Sequence, residues 1–190
     1  TITVLSSGDP TQGVALLLRS PDGRTALIDE GASNVALTQT LDAQLPFWQR
    51  SLNLVVLTDT GSSNLSGLQD VIERYQVARI VDAGMLHPSV AYSRWRRTLD
   101  ERHLPYTQVR QGATITLGNE TIFQVLWPPA QLHKSSNEEH DNALILRLLA
   151  PGLRMLLLNT TVQSSYALKT LPTDIAPAYL QGEIAQISNT

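Results

Sequence analysis

The chain has 190 residues, of which 42% are hydrophobic and 16% charged, so it can bury a substantial core and is not a disordered chain. Its formal net charge of -3 argues against a nucleic-acid binder held by overall charge. The absence of cysteine excludes a disulfide framework, a zinc–thiolate site and a cysteine nucleophile.

The N-terminal half of the sequence predicts strands that alternate with helices. Residues 2–5, 14–19 and 25–29 predict an antiparallel meander, and a helix that ends near Pro46 follows it. The run 52–57 is apolar apart from Asn53, which is typical of a strand buried on both faces. Apolar residues at helical spacing predict a helix from Leu65 to Tyr75. The next predicted elements are a strand over 78–81, a helix over 89–104 and a strand over 106–109.

The second half is rich in predicted strands. Thr114–Leu117 and Thr121–Trp127 predict one hairpin, residues 143–149 and 153–158 predict another, and a last helix is expected over 162–171. The polar segment 131–141 is predicted to be the most mobile connection. Two runs of strands, each followed by helices, favour one domain over 1–190 in which two sheets pack face to face with helices outside.

A loop of small residues follows the apolar strand, at the carboxyl end where ligand sites are common in α/β sheets. The simplest interpretation is a turn at Asp59, followed by a helix that Ser62, Ser63 or Asn64 caps. An anion site on the helix amides is a second interpretation, which the charge of Asp59 disfavours. A metal site is a third, and its donors would come from the following set: Glu30, Asp59, His140 and Asp141.

Four sequence segments carry a family resemblance: Leu27-Ile28-Asp29-Glu30-Gly31, residues 55–68, Val125-Leu126-Trp127-Pro128-Pro129 and residues 141–148. In order and spacing they resemble the metallo-β-lactamase superfamily, in particular the domain that follows the membrane channel in ComEC-type DNA-uptake (competence) proteins. The resemblance covers about residues 2–182. It implies an αβ/βα sandwich of two mixed β-sheets flanked by helices.

The resemblance also implies where metal ligands would lie. The family's loop ligands fall on Asp59, Gly61, Ser63 and Asn64 of this sequence, and a later aspartate falls on Thr160. Only Asp59 is a good donor for zinc or manganese. We therefore expect a degenerate, non-catalytic domain with neither metal nor other cofactor. The alternative is a zinc- or manganese-dependent hydrolase, a nuclease or phosphodiesterase, with a rebuilt site.

The expected location and partners also follow from the resemblance. It implies a soluble domain excised from a bacterial membrane protein, with the membrane-embedded portion of that protein as one partner and single-stranded DNA as another. The chain stops soon after Gly182, so we expect that it lacks the last strands of a full domain.

The helix predicted over 89–104 carries the one basic cluster in which aromatic residues are interleaved. Arg94 and Arg97 are its candidate contacts to nucleic acid. The simpler interpretation is an amphipathic helix whose apolar side chains, Val90, Trp95 and Leu99, face the core while the arginines lie in solvent.

Overall fold

The fold is described from a computed structural model, which covers residues 1–5, 15–29, 34–46, 48–60, 65–136, 138–159 and 184–187. The predicted helix over 162–171 lies outside these residues. So do Glu30, Gly61, Ser63, Asn64 and Thr160.

The first sheet has six strands in the spatial order β1-β2-β3-β5-β7-β8. The first three strands are antiparallel, and β3, β5, β7 and β8 are mutually parallel, so the sheet is mixed. The strands are β1 (Ile2–Leu5), β2 (Ala15–Arg19), β3 (Thr25–Ile28), β5 (Leu54–Leu57), β7 (Ile80–Asp82) and β8 (Tyr106–Gln108).

Three helices cover one face of this sheet: α1 (Asn34–Gln44), α2 (Ser66–Arg74) and α3 (Val90–Glu101). Side chains alternate across the sheet because successive residues of a strand point to opposite faces. Val55 and Leu57 pack with the helices, whereas Leu54 and Val56 pack in a second buried cluster. Both faces of β5 are therefore buried, as its continuous apolar run predicts.

The second sheet has five strands in the order β13-β12-β11-β10-β9. They are β9 (Thr114–Leu117), β10 (Thr121–Trp127), β11 (Ile145–Ala150), β12 (Leu153–Asn159) and β13 (Ile184–Ile187). Phe123, Val125 and Leu146 pack in the same buried cluster as Leu54 and Val56, so the two sheets face each other. The strand β13 runs parallel to β12 and makes this sheet mixed as well.

The strand predicted over 52–57 is divided in two. Ser51–Leu52 forms β4, which pairs in a separate two-stranded sheet with β6 (Gln76–Val77). Between β4 and β5, Asn53 donates its amide to the Thr25 carbonyl (2.9 Å) and accepts a bond from the Thr25 amide on its side-chain oxygen (2.9 Å). Asn53, which bonds to β3, therefore lies between the two strands that replace the predicted one.

The helix α2 begins one residue after its predicted start, at Ser66. Leu65, which precedes it, makes no side-chain capping bond and is buried in the core beneath the helices. The predicted capping residues Ser62, Ser63 and Asn64 lie outside the described residues.

The polar connection 131–141 contains a short helix, α4 (Glu138–Asp141), that the sequence did not predict. In the described part of the chain, no helix is long and apolar enough to cross a membrane.

Candidate functional site

Three buried residues follow β5 at the carboxyl edge of the parallel strands. Thr58, Asp59 and Thr60 all lie in the interior, directly after Leu57. The short β5 and its parallel neighbours β3 and β7 bring the residues after each strand to one edge of the sheet. Ligand sites are common at this edge of α/β sheets.

His140 lies against Asp59 at this edge. Its Nδ1 atom is 2.8 Å from the Asp59 Oδ2 atom; the Asp59 side chain is 0% exposed and that of His140 is 29% exposed. The contact is a hydrogen bond, and it becomes an ion pair whenever the imidazole is protonated. From the sequence, both residues were predicted only as possible metal donors, since nothing local indicates that residues 81 positions apart meet.

A network around Asn142 holds α4 in place. The Asn142 side-chain oxygen accepts a bond from the His133 amide (2.7 Å), and its side-chain nitrogen donates to the carbonyls of His133 (2.8 Å) and Glu138 (2.7 Å). Trp127 donates its indole N–H to the Asp141 carbonyl (2.7 Å). These bonds fix the backbone on both sides of His140.

A backbone hydrogen bond connects the segment after α4 to the residue after β5. The Leu144 amide donates to the Thr58 carbonyl (2.7 Å), one residue before Asp59. The segments resembling family signatures at Trp127 and Asp141-Asn142 thus have a structural role here: they position His140 beside Asp59.

Asp29 is a second buried carboxylate at the same edge. It directly follows β3 and has a positive φ of 57°. Thr58 donates its amide to Asp29 Oδ1 (2.8 Å), and its hydroxyl lies 2.6 Å from Oδ1 and 2.7 Å from Oδ2. Burial raises the pKa of Asp29 to about 7, although the bonds from Thr58 act in the opposite direction. The negative charge of Asp59 raises that pKa further.

The described donors do not fit a metal centre of the kind that the resemblance implies. Zinc sites usually take three or more protein ligands. Within the described ranges, no group of three or more His, Cys, Asp or Glu side chains could hold a metal ion. His140 and Asp59 direct their facing atoms at each other, and both oxygens of Asp29 face Thr58.

A third buried carboxylate, Asp82, ends β7 and was not singled out from the sequence. Its Oδ1 atom accepts bonds from the Gly84 amide (2.5 Å) and the Tyr106 hydroxyl (2.6 Å), and burial raises its pKa. The Arg96 guanidinium stacks 4.1 Å above the centre of the Tyr106 ring. The sequence signal that could have identified Asp82 is an aspartate at the end of an apolar strand run.

The basic helix α3 presents two arginines to solvent. Arg94 and Arg97 are exposed, whereas Tyr92 and Trp95 are buried in the core. The aromatic rings therefore cannot stack on nucleic-acid bases. The prediction that Trp95 and Leu99 face the core is confirmed.

The prediction that Val90 faces the core is wrong, because this residue is 86% exposed. It is the first residue of the helix, after Ser89, whose hydroxyl accepts a bond from the Tyr92 amide (3.1 Å). This capping geometry turns Tyr92, rather than Val90, into the core.

No protein-family model matches the chain, and no curated protein matches it. Three similar solved structures are the metal-soaked Flv1 flavodiiron core from Synechocystis sp. PCC6803, Zn²⁺-bound PqqB from Methylobacterium extorquens and a fragment of putative diflavin flavoprotein A 5 from Nostoc sp. PCC 7120. Their TM-scores are 0.54, 0.52 and 0.52, at identities of 16%, 12% and 15%.

These similarities cover 77%, 76% and 77% of this chain and 33%, 48% and 52% of the respective solved chains. The chain thus spans about half or less of the length of these proteins. At such identities the comparison establishes the fold alone. Together with the two mixed sheets and their flanking helices, it shows that the chain has the metallo-β-lactamase fold.

Proposed function

We propose that this chain is a non-catalytic metallo-β-lactamase-fold domain in which a hydrogen-bonded His140–Asp59 pair replaces the metal centre. One observation carries the proposal: Asp59, the good donor among the loop positions of the resemblance, bonds to a histidine from another part of the chain at 2.8 Å.

A buried carboxylate needs a compensating partner. Isolating a charge from water is costly unless another charge or hydrogen-bond donors offset it. In a metal site the cation supplies that compensation. Here an imidazole N–H supplies it, and the Asn142 network holds the imidazole in position. The scaffold can then keep its buried carboxylate without a metal.

We further propose that the domain is an accessory or interaction domain of a ComEC-type DNA-uptake protein. The four sequence segments that resemble that family support this role, and two of them hold α4 at the site. The domain would be soluble, attached to the membrane-embedded portion of the same bacterial protein, and would contact single-stranded DNA through Arg94 and Arg97.

The deciding experiment measures metal content and metal response. We expect elemental analysis of the purified domain to find substoichiometric zinc, manganese and iron, and added zinc or manganese to leave the melting temperature unchanged. A near-stoichiometric metal, or a stabilisation by added metal that His140→Gln abolishes, would overturn the proposal.

The second candidate is a divalent-metal-dependent nuclease or phosphodiesterase. It is favoured by the proximity of an imidazole and a carboxylate at the edge where the fold resemblance implies metal ligands. It requires further donors beyond the described residues. Manganese- or zinc-dependent cleavage of single-stranded DNA or bis(p-nitrophenyl) phosphate, lost in Asp59→Asn, would establish it.

A further inference from the structure

We propose that a surface recess beside α4 is a binding site for a small organic anion that combines a flat apolar body with one phosphate or carboxylate group. The recess has a volume of about 530 Å³. That volume falls in the range of small-molecule sites, about 300 to 1,000 Å³. It lies at the end of β10, where Trp127 forms part of its wall.

The lining has the chemistry for such a ligand. Trp127, Pro129 and Leu132 supply apolar surface. Lys134 supplies an ammonium group, and Gln111 supplies a neutral amide. The described side chains that line the recess include no carboxylate, so nothing in its wall repels an anion.

Lys134 is available for the anionic group. The residue is exposed, and no acidic side chain of the described ranges forms an ion pair with it. A lysine at the rim of an apolar recess can reach an anion that sits partly out of water, where the attraction is stronger than in bulk solvent.

The recess is formed before any ligand arrives. Asn142, which is 0% exposed, bonds both the amide and the carbonyl of His133, the residue before Lys134. Elsewhere in the wall, the Gln111 backbone amide donates to the Pro128 carbonyl (2.7 Å). A wall fixed by buried hydrogen bonds loses little conformational entropy when a ligand binds. This favours a site over a chance depression in a surface loop.

Binding can be tested with matched probes on the intact domain. Deoxyadenosine monophosphate and 1-naphthoate carry the phosphate and the carboxylate, and deoxyadenosine lacks the charge. The readout is the indole N–H resonance of Trp127 in a titration followed by NMR, together with calorimetry. We expect saturable shifts with at least one anion and a much weaker response to deoxyadenosine. The anion that binds identifies the charged group of the ligand.

Two variants distinguish binding at this site from a general effect of the protein's charge. Lys134→Gln should weaken binding up to about fivefold, the range of an exposed ion pair. Arg154→Gln removes an equal charge at the opposite end of the second sheet, where Arg154 pairs with Leu149, and should leave binding unchanged. The proposal fails if no probe gives a saturable shift, if the nucleoside binds as well as the nucleotide, or if both variants act alike.

Discussion

The Nδ1 atom of His140 and the Oδ2 atom of Asp59 lie 2.8 Å apart, which joins a short helix of the second half of the chain to the end of a buried strand in the first half. The bond links α4, which precedes β11 of the second sheet, to the first sheet at the edge where the sequence resemblance implies a metal. We therefore expect the stability of the domain to depend on both side chains.

A double-mutant cycle measures this bond. His140→Gln leaves the buried Asp59 carboxylate without its imidazole partner and should cost about 1 to 3 kcal/mol in the free energy of unfolding. In an Asp59→Asn background the same substitution should cost clearly less, because no charge is left to compensate. Urea unfolding of wild type, the two single variants and the double variant gives the coupling free energy between positions 59 and 140. His103→Asn, an exposed histidine at a positive φ that asparagine tolerates, is the control. Additive effects at positions 59 and 140 would remove the pair from the account of stability.

Asp29 should make stability depend on pH. Its folded pKa of about 7 lies above the ordinary value of 3.8, so between these values the folded protein keeps a proton that the unfolded chain has released. The stabilising contribution of that proton is present at low pH and is lost as the pH rises through about 7. The free energy of unfolding of wild type should therefore fall relative to that of Asp29→Asn as the pH rises from about 3.8 to about 7. Above that pH the difference between the two proteins should stay constant. Thermal melts of both proteins from about pH 4 to pH 9 test this. A constant difference across the whole range would mean that the pKa of Asp29 is not raised.

The Tyr106 hydroxyl should stabilise the domain through the buried Asp82. Tyr106→Phe removes one of two described donors to Asp82 Oδ1 and should cost about 1 to 2 kcal/mol. Since the lost bond lowers the pKa of Asp82, the cost should increase as the pH rises above that pKa. Tyr75→Phe is the matched control, because the Tyr75 hydroxyl donates to Asp42, whose side chain is 40% exposed and can bond water instead. Equal costs for the two variants in urea unfolding would contradict the argument.

The amide nitrogen of Asn142 should be essential for holding α4. Asn142→Asp keeps the shape and the acceptor for the His133 amide, but at neutral pH it turns a carboxylate oxygen toward the carbonyls of His133 and Glu138. We expect a loss of about 2 kcal/mol or more at neutral pH and a smaller loss in acid, where a protonated carboxyl can donate one bond. Gln131→Glu adds the same charge at an exposed position of the same segment and should change stability little. Comparable losses in the two variants would show that charge, and not the network, is responsible.

Arg94 and Arg97 should account for any binding of single-stranded DNA. If each contacts a phosphate, the double substitution to glutamate should weaken binding and reduce the salt slope of log K by about 1.4. Arg74→Glu with Arg154→Glu makes the same change in net charge at exposed positions elsewhere and should have a smaller effect. Fluorescence anisotropy with a labelled oligothymidine at several salt concentrations compares the affinities of the two double variants. Binding that is unchanged by the α3 substitutions would remove this helix from the proposed function.

Most strands and helices were predictable from local sequence, because each depends on a local period of apolar residues. The apolar run that ends at Leu57 predicted the doubly buried β5, and the apolar spacing after Leu65 predicted α2. The sequence also determined that the strand-to-helix loop carries one good metal donor, since residue chemistry needs no coordinates.

Tertiary structure alone decided which distant residues meet. Asn53 is visible in the sequence as a polar residue within an apolar run, but its bonds to Thr25 and the pairing of β13 with β12 are not indicated by any local pattern. The same holds for the candidate site: His140 reaches Asp59, 81 positions away, because hydrogen bonds from Trp127 and Asn142 fix a polar segment whose composition predicts mobility. Side-chain hydrogen bonds of this kind have no repeating spacing along the chain and strengthen only when packing excludes water, so no periodic sequence pattern indicates them.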